Sequence, residues 1–282
     1  MTVEQIVRRD ALVREAERSR ADEFRDWAQE VMALARRWYI LTIRERLNLV
    51  FSIAQPAIWL VFFGSSLGRG VDKQVIGTND YIAFMLPGII AFTVVGNSVS
   101  GAMPLLWDRE NGYLDKLMSM PIARSSMIVS RFVFQLGLGS VQTVLVLLVA
   151  FALGVRIEAG VGGLVVILLA AALLTLAFTA VFVALAYWVP GHGTFFAITG
   201  FITLPLLFMS NAFVPLDAMP AWMGAIARLN PLTYAIEAMR TPVLEGWSAG
   251  VAGSLAMLTL FSAICLVLGA YEFGRETGER VS

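Results

Sequence analysis

The chain has 282 residues, 58% of them hydrophobic and 15% charged, with a formal net charge of zero and a mean hydropathy of +0.74. A charged share so far below the usual ~25% of soluble domains is that of an integral membrane protein. Balanced charge (21 basic, 21 acidic residues) offers no basic field for nucleic acid, and a lone cysteine, Cys265, excludes an intramolecular disulfide.

Residues 1–22 are rich in Arg and Glu, which predicts a solvated extension. Over residues 23–46, Phe24, Trp27, Ala28, Val31, Leu34, Ala35, Trp38 and Leu41 recur at helical spacing, while Arg25, Asp26, Gln29, Glu30, Arg36 and Arg37 take the other side. This predicts an amphipathic helix, lying at the inner membrane surface or packed on a soluble partner; its two tryptophans suit the headgroup zone. The first 46 residues lack the short apolar core of a secretory signal, so the first membrane helix is expected to act as the insertion signal.

An ionised side chain at the bilayer centre costs roughly 2.5–3.5 kcal/mol on insertion scales, so charge-free runs mark the spans. They extend from Leu47 to Gly68, Tyr81 to Trp107, Phe132 to Val155, Ala159 to Leu216 and Gly246 to Tyr271. Each covers the roughly 20 residues that a spanning helix needs. The fourth is too long for one crossing and must reverse at Pro190-Gly191-His192-Gly193. The expected fold is an all-α integral membrane protein whose six transmembrane helices lie at about 47–68, 82–104, 132–154, 163–189, 194–213 and 250–271, within one domain, 47–271. A polar loop, 105–131, follows the second span, an outer segment, 214–248, precedes the sixth, and 272–282 form a tail.

Basic residues are retained on the cytoplasmic side. Placing the N-terminus inside puts ten before Leu47, four from Arg109 to Arg131 and two after Tyr271 on the inner side. Only five fall outside: Arg69, Lys73, Arg156, Arg228 and Arg240. Both termini are therefore expected in the cytoplasm, with the protein in the inner (cell) membrane.

In the outer segment, Pro215, Pro220, Pro231 and Pro242 divide the chain into pieces too short to span. Trp222, Met223, Ile226 and Leu229, then Leu232, Ile236 and Met239, fit two short re-entrant helices in the outer leaflet, forming a gate or an interfacial anchor. Glu237 and Arg240 are spaced to meet on one helical face.

Helix interiors carry Gln55, Asn97, Ser98, Ser100, Gln135, Gln142, Thr143, Thr175, Thr179, Thr199, Thr203 and Asn211 but no carboxylate, which argues against a proton relay. His192 has no companion at metal-ligand spacing, so no metal site is expected. Hydrolase and intramembrane-protease motifs are missing. The only lysines, Lys73 and Lys116, each follow Asp, so the Gly-Lys step of a phosphate-binding loop does not occur. Such a protein conducts passively, serves as a scaffold, or takes energy from a partner.

The polar loop decides among these. Its pattern W-D-R-E-x-G-x-L-x-x-L-x-x-x-P, from Trp107 to Pro121, followed by Arg124 and Arg131, resembles the first cytoplasmic loop of type-2 ABC exporter permeases. Within that family it is similar to the daunorubicin-resistance and nodulation-factor export branch. Phe213-Val214-Pro215, Met219-Pro220-Ala221-Trp222 and Asn230-Pro231-Leu232-Thr233-Tyr234 resemble the family's F-x-P, L-P-x-W and N-P-x-x-Y elements, and Tyr81 to Gly88 resembles the start of its second helix.

The resemblance implies a homodimer of permeases with two copies of a cytoplasmic ATPase, ATP and Mg being bound by the ATPase and no cofactor by this chain. Asp108, Arg109, Glu110, Gly112, Tyr113, Leu114 and Leu117 would form the coupling helix; Gly112 also reads as a local turn, and Glu110 as a partner of Arg109 or Lys116. Substitution of Glu110 or Leu117, placed in a polar loop, is expected to spare membrane insertion. Arg36, Arg37, Arg44 and Glu45 of the amphipathic helix become further ATPase contacts or remain solvated. Phe213, Pro215, Pro220, Trp222, Asn230, Pro231, Tyr234 and Glu237 would form the outer gate. Phe92, Asn97, Ser98, Ser100, Thr199, Thr203, Phe208 and Asn211 would line the substrate path or serve only to pack helices. The expected cargo is an amphipathic or hydrophobic compound, drug- or polyketide-like, with lipid, glycolipid or polysaccharide as the alternative.

Overall fold

The computed structural model describes residues 20–67, 78, 80–120 and 122–279. The expected extension up to residue 19, the basic residues Arg69 and Lys73, and Pro121 lie outside the described residues. In chain order the helices are α1 (Arg20–Arg44), α2 (Arg46–Leu67), α3 (Tyr81–Glu110), α4 (Tyr113–Met118), α5 (Arg124–Ala152), α6 (Gly160–Trp188), α7 (His192–Phe208), α8 (Ala221–Leu229), α9 (Pro231–Leu244) and α10 (Ala249–Glu279). No strand occurs among the described residues.

Four helical stretches are long and apolar enough to cross a membrane: Tyr81–Glu110, Ser125–Ala152, Gly160–Trp188 and Ala249–Tyr271. Two further apolar stretches, Val50–Phe62 and His192–Phe208, are shorter. At 1.5 Å per residue α7 is about 25 Å long, a little under the ~30 Å hydrocarbon core. Residues 105–110, expected in the polar loop, are the last turns of α3, and 124–131 are the first turns of α5. Two consecutive turn residues, Asn111 and Gly112, separate α3 from α4.

α3 and α6 form the centre. Leu86, Ile90 and Leu106 of α3 and Ile167, Leu174 and Phe182 of α6 are almost wholly enclosed. α5, α9 and α10 pack around them. α3 begins where Asp80 accepts a hydrogen bond from the Ala83 amide at 3.0 Å, satisfying an amide that the helix leaves free. α6 stops at Trp188 because Pro190 disfavours a helical conformation at Val189.

α1 splits its apolar face. Val31, Ala35 and Trp38 are buried against α5, whereas Phe24 and Leu41 remain exposed. Glu30, expected on the solvated side, accepts from the Ala123 amide at 3.1 Å and the Ser126 hydroxyl at 2.7 Å. It thus supplies the cap that Ala123 cannot give α5.

Tyr39 stands edge-on to Phe134 at 4.9 Å, in space left open by Gly137. A Cβ at position 137 would lie 1.8 Å from the Tyr39 hydroxyl oxygen. Gly137→Ala is therefore expected to lower the unfolding midpoint in detergent, with an overpacking cost of about 1–3 kcal/mol. Adding Tyr39→Phe removes the colliding oxygen and should recover most of that loss; an unchanged loss in the double variant would contradict this packing.

Candidate functional site

Three places gather the polar side chains. At the C-terminal end of α3, Asp108 is 8% exposed and meets two cations. Arg37 of α1 donates to its two oxygens at 3.1 and 3.4 Å, and Arg131 of α5 donates at 3.4 Å. Both guanidiniums lie over the Trp38 ring, Arg37 at 4.5 Å and Arg131 at 4.4 Å from its centre, and Tyr113 covers Arg37 at 4.3 Å. Arg37, placed on the solvated side of its helix by periodicity, instead turns inward, because a buried carboxylate is costly unless paired and hydrogen-bonded.

Arg109 donates to the carbonyls of Ala186, Tyr187 and Val189, which end α6 without helical partners. Glu110 pairs with neither Arg109 nor Lys116: its Oε1 lies 2.7 Å from His192 Nδ1 on the first residue of α7, with Trp107 beside the imidazole. Gly112 adopts φ +67°, a conformation that favours glycine, with open space around it. The short α4 buries Leu114 and Leu117 at 6% and 7% exposure. Leu117, expected in a polar loop, sits instead on α4 at 7% exposure, where an aspartate would enter an apolar contact. Asn111, Gly112 and Lys116 face outward.

At the opposite end, the motif elements expected at the outer side converge. Asn230 accepts from the Leu232 amide at 2.9 Å, capping α9, and donates to the Leu206 and Met209 carbonyls at the end of α7. Pro231 takes the first helical position, where its missing N–H costs nothing. Tyr234 donates to the Arg228 carbonyl at the end of α8. Arg240 donates to the carbonyls of Phe84, Asn211 and Ala212 and lies over the Phe84 ring at 3.8 Å. Glu237 does not pair with it directly; it accepts from Asn211 at 3.4 Å and Ser254 at 3.5 Å. Gly88 lets α3 approach Ala212, whose Cα would lie 3.1 Å from an added Cβ. Phe213 stacks on Phe208 at 5.6 Å, and Trp222 is 62% exposed. Pro215 and Pro220 bracket the short 3-10 turn before α8.

Within this one chain the residues expected to line a substrate path do not all come together. Ser98 and Thr199 return their hydroxyls to Val94 and Phe195 of their own helices. Phe92 packs on the core, Thr203 lies on α7, and Asn211 belongs to the cluster around Glu237 and Arg240. Asn97 and Ser100 line a cavity of about 520 Å³ between α1, α2, α3 and α5, together with Gln135 and Gln142. Those two glutamines were noted as polar residues of a span without a site role; their seven-residue spacing, two helical turns, was the available signal.

The model of the family described as ABC-2 type transporter matches residues 29–244. The chain belongs to the ABC-2 type transporter family. The matched residues run from α1 to the end of α9 and so contain both polar clusters and the cavity. With its four long apolar helices, this ABC-2 chain is a membrane protein. It is similar to the putative transport permease ycf38 of Cyanophora paradoxa, 35% identical over 75% of this chain and 73% of the relative. It is also similar to the daunorubicin resistance ABC transporter permease protein DrrB1 of Streptomyces coeruleorubidus, 26% identical over 68% of this chain and 67% of that protein. Nodulation protein J of Rhizobium leguminosarum bv. trifolii is 25% identical over 76% of this ABC-2 chain and 81% of its own length.

Proposed function

We propose that this chain is the permease of an ATP-driven exporter that moves an amphipathic or hydrophobic compound out of the cell, powered by a separate ATPase. The observation that carries the reading is the way the α3–α4 corner is held. Asp108 ties it to α1 and α5, Arg109 to α6, and Glu110 to α7, while Asn111, Gly112 and Lys116 project outward. A push on that corner is delivered to four further helices at once, as a coupling element requires. In this reading the contact surface is Glu110, Asn111, Gly112, Tyr113 and Lys116, whereas Asp108, Arg109, Leu114 and Leu117 anchor it.

α2 and α7 join the four long helices as spans, giving six; α1 lies at the inner surface, and α8 and α9 dip into the outer leaflet as a gate. Both termini are cytoplasmic and the protein resides in the inner membrane. Two permeases and two ATPase subunits form the working unit, with ATP and Mg bound by the latter. The second permease copy covers apolar surface that this chain leaves open on α7, where Phe201 is 80% exposed. A relative named for daunorubicin resistance supports a drug- or polyketide-like cargo; a lipid or glycolipid is the second reading, favoured by the same bilayer-facing apolar surfaces.

Gentle detergent purification followed by mass spectrometry tests this proposal. The expected result is a phosphate-loop ATPase recovered at one copy per permease. Repeated recovery of intact permease without one would instead support a passive carrier or scaffold.

A further inference from the structure

The cavity between α1, α2, α3 and α5 has a character that helix packing alone does not explain. Arg131, Gln135, Leu138 and Gln142 line it from one face of α5, a stripe roughly 16 Å long at 1.5 Å per residue. Gln135 and Gln142 are 3% and 2% exposed. Each uses its amide nitrogen, Gln135 toward the Asn97 carbonyl at 2.8 Å and Gln142 toward Ser52 Oγ at 3.0 Å. Each is left with a carbonyl oxygen that has no protein partner, as is the amide nitrogen of Asn97. Gly101 makes this arrangement possible: a Cβ there would lie 2.0 Å from the Gln135 amide nitrogen.

A buried polar atom without a partner costs about 1–3 kcal/mol, so three such atoms on side chains that line one cavity favour an occupant with hydrogen-bonding groups toward which those side chains turn. Such a space is roomy and polar enough to hold water, which a ligand's hydroxyls displace without loss if they reproduce its bonds. The charged lining residues balance: Arg37 and Arg131 against Asp108 and Glu45. The site therefore offers no net attraction to an anion. Leu41, Trp107 and Phe196 form an exposed apolar rim, suited to an alkyl or polycyclic body beside the bilayer. The volume, about 520 Å³, lies in the usual 300–1,000 Å³ range of small-molecule sites.

We infer that this cavity binds the uncharged, hydroxyl-bearing end of an amphipathic cargo within a single permease, the enclosed amides of Gln135, Gln142 and Asn97 turning into it so that the glutamines accept and Asn97 donates hydrogen bonds. The inference rests on the exporter reading for the word cargo, but not for binding itself.

The test uses the full chain in phosphatidylcholine vesicles and a dodecyl glucoside bearing a photoactivatable diazirine, with labelled peptides mapped by mass spectrometry. Labelling should concentrate on α3 and α5 residues of the cavity and be competed by dodecyl glucoside but not by laurate. It should fall at least fivefold in Gln135→Leu/Gln142→Leu. Ser100→Trp, at an exposed position on the cavity lining, fills the cavity without touching the glutamine amides and should have the same effect if the double variant folds poorly. Labelling spread evenly over the lipid-facing surfaces, or unchanged by Ser100→Trp, would overturn the inference. With the ATPase and ATP added, cargo is released from the site; retention under turnover would mark a resident lipid and overturn the cargo assignment. Because the binding step needs no ATPase, its failure leaves the coupling proposal untouched, and absence of an ATPase leaves the binding result standing.

Discussion

Asp108→Ala should leave little correctly folded protein. The substitution removes the carboxylate that both Arg37 and Arg131 address, and Arg131 is 9% exposed. Breaking a buried ion pair by deleting one partner costs about 3–5 kcal/mol, a large share of the 5–15 kcal/mol that holds a typical domain together. The loss should appear as a collapsed monodisperse peak in detergent and a lowered unfolding midpoint. Asp108→Asn keeps the shape without the charge and should fall between the two. Glu110→Ala provides the contrast, since the Glu110 side chain is 43% exposed and its pairing with His192 lies at the surface. Such exposed pairs are worth about 0–1 kcal/mol, so this variant should fold and lose only coupled export. An Asp108→Ala protein that folds normally but fails to bind an ATPase would contradict the anchoring role and return Asp108 to the contact surface.

Arg240→Ala should have a comparably large effect at the opposite end. The guanidinium supplies donors to the carbonyls of Phe84, Asn211 and Ala212, and so joins α9 to α3 and to the chain that leaves α7. Asn211 and Ala212 are 3% and 0% exposed, so water cannot readily replace the lost donors. Each carbonyl left without a partner costs about 1–3 kcal/mol. Thermal unfolding in detergent should show a marked destabilisation. Arg240→Lys should not rescue it, because an ammonium cannot reproduce a planar fork with several fixed donors or its stacking on Phe84. Full stability of the lysine variant would show that charge alone, and not this geometry, holds the corner.

Much of the architecture was legible because the membrane writes it in charge. Charge-free runs and the Pro190 to Gly193 turn locate the apolar helices, with α6 ending at Trp188 and α7 beginning at His192. The motif elements were visible as strings, but their physical meaning was not. Asn230 and Tyr234 cap three different helix ends, and Gly88 admits the backbone at Ala212; the hold of Asn230 on the end of α7 and the approach at Gly88 depend on contacts between segments well separated in the chain.

Helical periodicity misplaced Arg37 and Glu30, since a long side chain can turn away from the face its Cα occupies when a buried carboxylate or an uncapped helix end lies within reach. Calling 105–131 a polar loop concealed that Leu114 and Leu117 are buried, because hydropathy averaged over a mixed segment hides a two-residue apolar face. The cavity glutamines were read as span residues only. What gives them a site is the absence of a side chain at Gly101, and that is a property of packing.

Contact between the α3–α4 corner and the ATPase can be read by cysteine cross-linking. The natural Cys265 is only 8% exposed, so it adds little background. Lys116→Cys is placed on the projecting side of α4, and Leu229→Cys, at an 86% exposed position in α8, serves as the opposite-end control. With a short bifunctional maleimide on membranes containing the whole complex, Lys116→Cys should cross-link to an ATPase subunit, with a yield that changes between ATP-bound and nucleotide-free states, and Leu229→Cys should not. An ATPase that co-purifies but cross-links at neither nucleotide state through Lys116, or does so through Leu229, would contradict the account.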